Sequence, residues 1–124
     1  MKTPDNVLYS KTHEWLRMEG DIAYVGITDF AQSELGDIVF LEIETVGETL
    51  AKDEVFGTIE AVKTVSDLLM PVGGTVLEVN PTLEDNPALV NTNPYDEGWL
   101  VKIQVTDVNE TKELLTADQY QEII

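Results

Sequence analysis

Cysteine is absent from the 124-residue chain, which removes disulfides, thiolate nucleophiles and every Cys-based metal site. One histidine, His13, rules out any site that needs two imidazoles. Bases are scarce: 7 Lys and Arg face 24 Asp and Glu, for a formal charge of −17. Phosphate backbones and anionic bilayers repel such a surface, so nucleic acid and membrane surfaces are excluded as partners. No apolar run approaches the ~18–20 residues of a membrane span. Met1-Lys2-Thr3-Pro4-Asp5 shows neither a signal-peptide apolar stretch nor a transit pattern. A cytoplasmic protein is expected, or a processed form from the mitochondrial matrix. Catalytic motifs are missing too: there is no G-x-S-x-G, no glycine-rich phosphate cradle, no H-E-x-x-H and no D-x-D-x-D-G loop.

What is present is enough Val, Ile and Leu, within 43% hydrophobic residues, to build a core. The length suits a single domain over residues 1–124. Gly and Pro divide the chain into short units. Glu14–Glu19 and Ile22–Ile27 read as antiparallel strands joined at Gly20-Asp21. Thr28 caps a helix over Asp29–Leu35, and Gly36 supplies a left-handed exit. Asp37–Glu44 places apolar residues on both sides and predicts a strand buried on both faces for much of its length. From Val46 to Val79, Gly47, Gly57, Pro71 and Gly73-Gly74 separate β segments too short to leave room for ordinary helices, which implies a sandwich or barrel. Pro81, Pro87 and Pro94 mark a loop with at most one helical turn, and Trp99–Val105 is a further strand. At the C-terminus Thr116 and Gln119 stand in capping-box spacing, Leu115 and Tyr120 form a staple pair, and Tyr120, Ile123 and Ile124 define an apolar stripe. A terminal helix docked on the sheet is the reading.

His13 lies between Thr12 and Glu14, but strand neighbours point to opposite faces, so a structural or surface role is expected rather than a dyad. Adjacent acids such as Asp53-Glu54 and Asp96-Glu97 read as solvated faces. Lys63 is different. Between residues 53 and 101 it is the only base, among nine acids. Its flanks, Val55–Ala61 and Thr64–Leu69, read as strands, which puts Val62-Lys63 at the bend of a protruding hairpin. That bend has no Gly, Asn or Asp and forgoes the side chains that favour turns, as if kept for another purpose. The pattern alone leaves two readings open: a solubilising tip residue, or the bearer of a function.

The residues also resemble a known family. Tyr9-Ser10-Lys11-Thr12-His13-Glu14-Trp15, Gly26-Ile27-Thr28-Asp29-Phe30-Ala31-Gln32 and Leu35-Gly36-Asp37-Ile38-Val39-Phe40 are similar, in order and spacing, to blocks of the glycine cleavage H proteins, relatives of the lipoyl and biotinyl carrier domains. Glu60-Ala61-Val62-Lys63 with Ser66-Asp67 resembles the lipoylation motif, with Ala61 where Ser is usual. Pro71-Val72-Gly73-Gly74-Thr75-Val76 fits the returning strand, with Gly73 where Ser is common. Leu89-Val90-Asn91 and Pro94-Tyr95-Asp96-Glu97-Gly98-Trp99 resemble the late signature.

The resemblance implies a mainly β, lipoyl/biotinyl-carrier-like sandwich (the hammerhead, or barrel-sandwich hybrid) with short helices near residues 29–35 and at the C-terminus. It implies lipoate in amide linkage on Lys63, which removes the ammonium charge. Val62 and Thr64, where biotinyl domains favour Met, speak for lipoate over biotin. The family's role is that of a carrier, not an enzyme. It accepts an aminomethyl group from glycine decarboxylase, passes it to the tetrahydrofolate-dependent aminomethyltransferase, and is reoxidised by dihydrolipoyl dehydrogenase. The hard chemistry belongs mainly to those partners, and the missing cysteines leave no protein thiol to exchange with the arm's dithiol. By motif position Thr12, Glu14 and Asp67 would line the cleft that holds the loaded arm, Thr12 replacing the Ser of some members. Glu60 and Gly74 match positions linked to recognition by the lipoylating enzyme, and Gly74 reads equally as a turn glycine. A monomer is expected. An H-like protein that relays lipoate to other enzymes shares Lys63 and stays open as an alternative. A lipoyl domain of a 2-oxo acid dehydrogenase is disfavoured, since such domains are shorter and lack the terminal signatures. Lipoylation would take the charge to −18, and such a shuttle would be steered to basic rims on its partners.

Overall fold

Gly20, at φ +70°, turns the chain between β2 (Glu14–Glu19) and β3 (Ile22–Ile27), which pair from Glu19↔Ile22 to Glu14↔Ile27. This hairpin is the centre of the first of two antiparallel sheets in the computed structural model, which describes residues 1–124. β1 (Leu8–Tyr9) joins one side of the hairpin, and β9 (Val101–Val105), β8 (Gly74–Val79) and β5 (Thr49–Leu50) join the other, giving the order β1-β2-β3-β9-β8-β5. The second sheet has the order β4-β6-β7, from β4 (Ile38–Glu42), β6 (Val55–Ala61) and β7 (Val65–Leu69). The mainly β sandwich with few short helices is therefore the observed class.

Helix α1 (Asp29–Leu35) links the sheets, and Thr28 caps it by accepting the Ala31 N–H. Its exit differs from expectation. Gly36 has φ +82° but ψ −159°, an extended conformation with positive φ that is essentially restricted to glycine. β4 differs more. It is shorter than expected, and only Ile38 is buried; Val39 and Phe40 are 45% and 53% exposed. The alternation of apolar residues was real, but β4 is an edge strand with a register shift between Ile38 and Phe40.

The proline-marked stretch holds two helical turns, α2 (Thr82–Asp85) and α3 (Leu89–Thr92), one more than expected. Two asparagines hold it in place. Buried Asn80 donates to the carbonyls of Glu97 and Trp99. Asn91 donates to Gly36 O and accepts the Ile38 N–H, which ties α3 to the joint between α1 and β4. A 3-10 helix (Val108–Glu113) precedes α4 (Ala117–Gln121). The capping box of Thr116 and Gln119 is formed in full. The expected stripe is not: α4 ends at Gln121, and Ile123 and Ile124 are 50% and 40% exposed.

The core has two parts. A cluster of 20 buried residues fills the space between the sheets. A smaller one gathers Val7, Tyr9, Trp15, Ala117 and Tyr120. In the latter Tyr9 stacks on Tyr120 with centroids 4.5 Å apart, and the Trp15 indole N–H donates to Pro94 O at 2.9 Å. Gly26, opposite Trp15 across the hairpin, is packed so closely that an added Cβ would lie 2.6 Å from the indole.

Candidate functional site

β6 and β7 meet at a tight bend closed by Ala61 N–H donating to Thr64 O at 2.8 Å. A second hydrogen bond, from Val62 N–H to Asp37 O at 3.0 Å, ties the bend to the start of β4. Lys63 thus stands exposed on an anchored hairpin tip. It makes no ion pair. Its aliphatic stem passes over Gly36, where an added Cβ would lie 3.5 Å from Lys63 Cε.

From the neighbouring Leu35 a cleft of about 300 Å³ runs beside α1. Phe30, Ala31 and Leu35 form one wall, and Ile59 and Leu68 lie opposite. Thr12, His13 and Glu14 line it together with Asp67. His13 packs on Phe30 in the first turn of α1, with ring centroids 4.8 Å apart. Lys63 therefore marks the C-terminal end of the seven-residue helix, and the residues around His13 mark the other, roughly 10 Å away at 1.5 Å per residue. Half of the lining is apolar, and Glu14, Glu34 and Asp67 bring three carboxylates to it.

Glu14 is 3% exposed, so its charge is desolvated and its carboxyl is pushed above the usual value. Hydrogen bonds oppose that shift. Oε1 accepts from Thr12 Oγ1 and from Ser10 Oγ at 2.9 Å, and Oε2 accepts the Leu69 N–H at 3.4 Å. Ser10 Oγ also receives the Glu14 N–H at 3.0 Å, closing the turn that carries Thr12 and His13.

Thr12, Glu14 and Asp67, three residues named from motif position, are brought together in this one cleft. His13 is not on a strand but in the turn, at φ +72°, and Thr12 and Glu14 meet across it. Glu60 is exposed on β6, opposite Val65 and one residue pair from the bend. Gly74 lies on the other sheet. It is not a turn glycine but the buried first residue of β8, so close to β9 that a Cβ would sit 2.7 Å from Gln104 O. Two residues of the site were not singled out from sequence: Ser10, whose serine four residues before a glutamate was the available signal, and Tyr120, whose hydroxyl lies 2.7 Å from His13 Nδ1.

Two small antiparallel sheets with a free lysine on the exposed hairpin of the second are the architecture of a lipoyl-carrier protein. The comparisons narrow the class. A family model described as glycine cleavage H-protein matches residues 7–124. The chain is 56% identical over 124 residues to a glycine cleavage system H protein of Bacteroides thetaiotaomicron, covering all of this chain and 98% of that protein. Over 123 residues it is 55% identical to one of Salinibacter ruber, covering 99% of each. A crystal structure of the glycine cleavage system H protein of Mycobacterium marinum superposes with a TM-score of 0.87 at 42% identity, covering 96% of both chains. The chain belongs to the glycine cleavage H-protein family.

Proposed function

We propose that this chain, as one carrier domain over residues 1–124, bears lipoate on Lys63 and shuttles the aminomethyl group of glycine between the enzymes of the glycine cleavage system. The observation that carries this reading is the pairing of a free tip lysine, its stem over Gly36, with a half-apolar cleft that starts at the neighbouring Leu35 and reaches Glu14. The residues fit the group: an uncharged aliphatic chain finds Ala31, Leu35, Ile59 and Leu68, and a cationic end finds carboxylates. Bound lipoate supplies a dithiolane that accepts the aminomethyl group and is afterwards reoxidised.

The chain's own residues present, orient and shield. The Asp37 carbonyl holds the tip. Glu14 and Asp67 receive an amine by charge-assisted hydrogen bonds, and Thr12 and Ser10 hold the Glu14 carboxylate in place. Glu60, exposed beside the tip, offers a carboxylate to the lipoylating enzyme, and Gly74 keeps β8 against β9. The partners are glycine decarboxylase, the aminomethyltransferase and dihydrolipoyl dehydrogenase, met in turn by a monomer that is their shuttling substrate rather than an enzyme. The bacterial relatives support a cytoplasmic setting, and no helix is long and apolar enough to cross a membrane.

Intact mass of protein from a lipoylating host tests the attachment. One lipoyl group is expected, lost completely in Lys63→Arg; modification elsewhere, or none, overturns it. Glycine-dependent CO2 exchange with a cognate decarboxylase tests the duty. Fully lipoylated protein that fails there would instead serve as a lipoate relay.

A further inference from the structure

His13 sits at the far end of the cleft, and its surroundings decide which ring nitrogen carries the proton. Thr28 Oγ1 accepts the Ala31 N–H at 3.1 Å and lies 2.7 Å from Tyr120 Oη, which in turn lies 2.7 Å from His13 Nδ1. Thr28 and Tyr120 are both fully buried. The Thr28 hydroxyl proton has only Tyr120 Oη as acceptor, so the Tyr120 proton points at Nδ1. A proton on Nδ1 would reverse the chain, Tyr120 then donating to Thr28, and leave a hydroxyl hydrogen without an acceptor in a buried site, a costly arrangement. The neutral ring therefore carries its proton on Nε2. That nitrogen has no partner within the chain. No buried side-chain nitrogen or oxygen is left unpaired, so Nε2 is open to solvent from a ring that lines the cleft.

The backbone supports the same placement. His13 holds a positive φ of 72°, rare for a residue with a side chain. It is kept there by His13 N–H donating to Ser10 O at 3.1 Å and by Thr28 N–H donating to His13 O at 3.0 Å.

We propose that His13 is a positioning residue of the cleft, a neutral imidazole locked as the Nε2–H tautomer that donates a hydrogen bond to the sulfur-bearing end of the arm. The proposal rests on the reading of Lys63 as the lipoyl site. The amide end of an arm on Lys63 lies at the C-terminal end of α1, so its sulfur end is the part that reaches His13. The polarity then divides the work: Nε2–H meets an acceptor, while Glu14 and Asp67 meet the cation. An imidazolium here would repel that cation. The charged and titratable groups around the ring are Glu14 on β2, Glu34 on α1, Asp67 on β7, Tyr120 on α4 and Lys11 in the turn. Burial of the ring lowers its pKa against the pull of Glu34, which favours the neutral form.

Because His13 is the only histidine, 15N-labelled protein gives one unambiguous pair of ring signals. In the unlipoylated chain Nδ1 should be pyridine-like and Nε2 protonated, with titration below 6.5. Tyr120→Phe should mix the tautomers and raise the midpoint. In mass-verified lipoylated and reduced protein, the Nε2 signal should move. His13→Asn suits a positive φ and keeps an acceptor toward Tyr120 but lacks Nε2–H. Compared at equal folded fraction, since the ring's packing on Phe30 is also lost, the arm's thiols should react severalfold faster with a thiol reagent. An Nδ1–H tautomer, an unmoved Nε2 signal, or equal thiol reactivity overturns the proposal. If mass shows no lipoyl group on Lys63, the functional reading falls. Titration of the unlipoylated protein with dihydrolipoamide then still decides His13, since a shift at Nε2 supports the role and its absence refutes it.

Discussion

Along β9 Val101, Ile103 and Val105 are buried, while Lys102 and Gln104 between them reach the surface. Along β4 the rule fails: Ile38 is buried, and Val39 and Phe40 are left about half exposed. The first strand is central in the larger sheet and has core beneath it; the second is an edge of the smaller one. The difference separates two tasks. The six-stranded sheet, closed by Trp15, Tyr9 and Tyr120, holds the fold together. The three-stranded sheet gives up burial in order to project a lysine and frame a cleft.

The largest effect should come from the scaffold. Trp15→Ala is expected to cost about 3–5 kcal/mol, read from the urea midpoint, with Lys63 still lipoylated by whatever fraction stays folded. If the cost were small, the aromatic cluster would not be the anchor described. Gly36→Ala is expected to cost about 1–3 kcal/mol because its φ of +82° with ψ of −159° excludes a Cβ. The added Cβ would stand at ordinary contact distance, 3.5 Å, from Lys63 Cε, so the rate of lipoylation at equal folded fraction should not change.

Glu14 links the two regions through pH. Its carboxyl is held above the ordinary value by burial, so the folded state keeps a proton that the unfolded chain has already released. Wild-type stability should therefore fall as pH rises from the ordinary Glu range through the raised value. Glu14→Gln should flatten that part of a Tm-against-pH curve; an unchanged slope would show that the hydrogen bonds from Ser10, Thr12 and Leu69 fully offset burial. The smallest effect belongs to β4. Phe40→Ser should shift stability by no more than about 0.5 kcal/mol, although the residue is aromatic. A larger loss would mean that the edge is covered.

Features of the fold with a local cause were legible in the sequence. Gly20 needs only its neighbours to turn, Thr28 caps α1 by accepting an N–H only three residues on, and the Thr116–Gln119 box is self-contained. β4 was not legible in this way, because alternation says which residues share a face and never whether anything lies on it. The two turns at α2 and α3 were hidden for a related reason. Asn80 and Asn91 act on partners far along the chain, such as Gly36, 55 residues away. In the site, Lys63 stood out as the sole base of its stretch, and Thr12, Glu14 and Asp67 followed from motif position. His13 was misplaced on a strand, since nothing nearby announces that a non-glycine residue will take a positive φ, and its partner Tyr120 lies 107 residues on.

The hydrogen bond from Val62 N–H to Asp37 O would govern how often an arm on Lys63, as proposed, meets the cleft. A flexible hairpin would spread the end of a tethered group through a volume that grows with every loose residue. With Lys63 as the proposed attachment point, the origin of the tether is pinned beside α1, so the effective concentration of the arm's end at Glu14 would be set by the side chain and its acyl group alone. Insertion of two glycines after Val62 would leave every cleft residue in place and still dilute the arm from the site it serves.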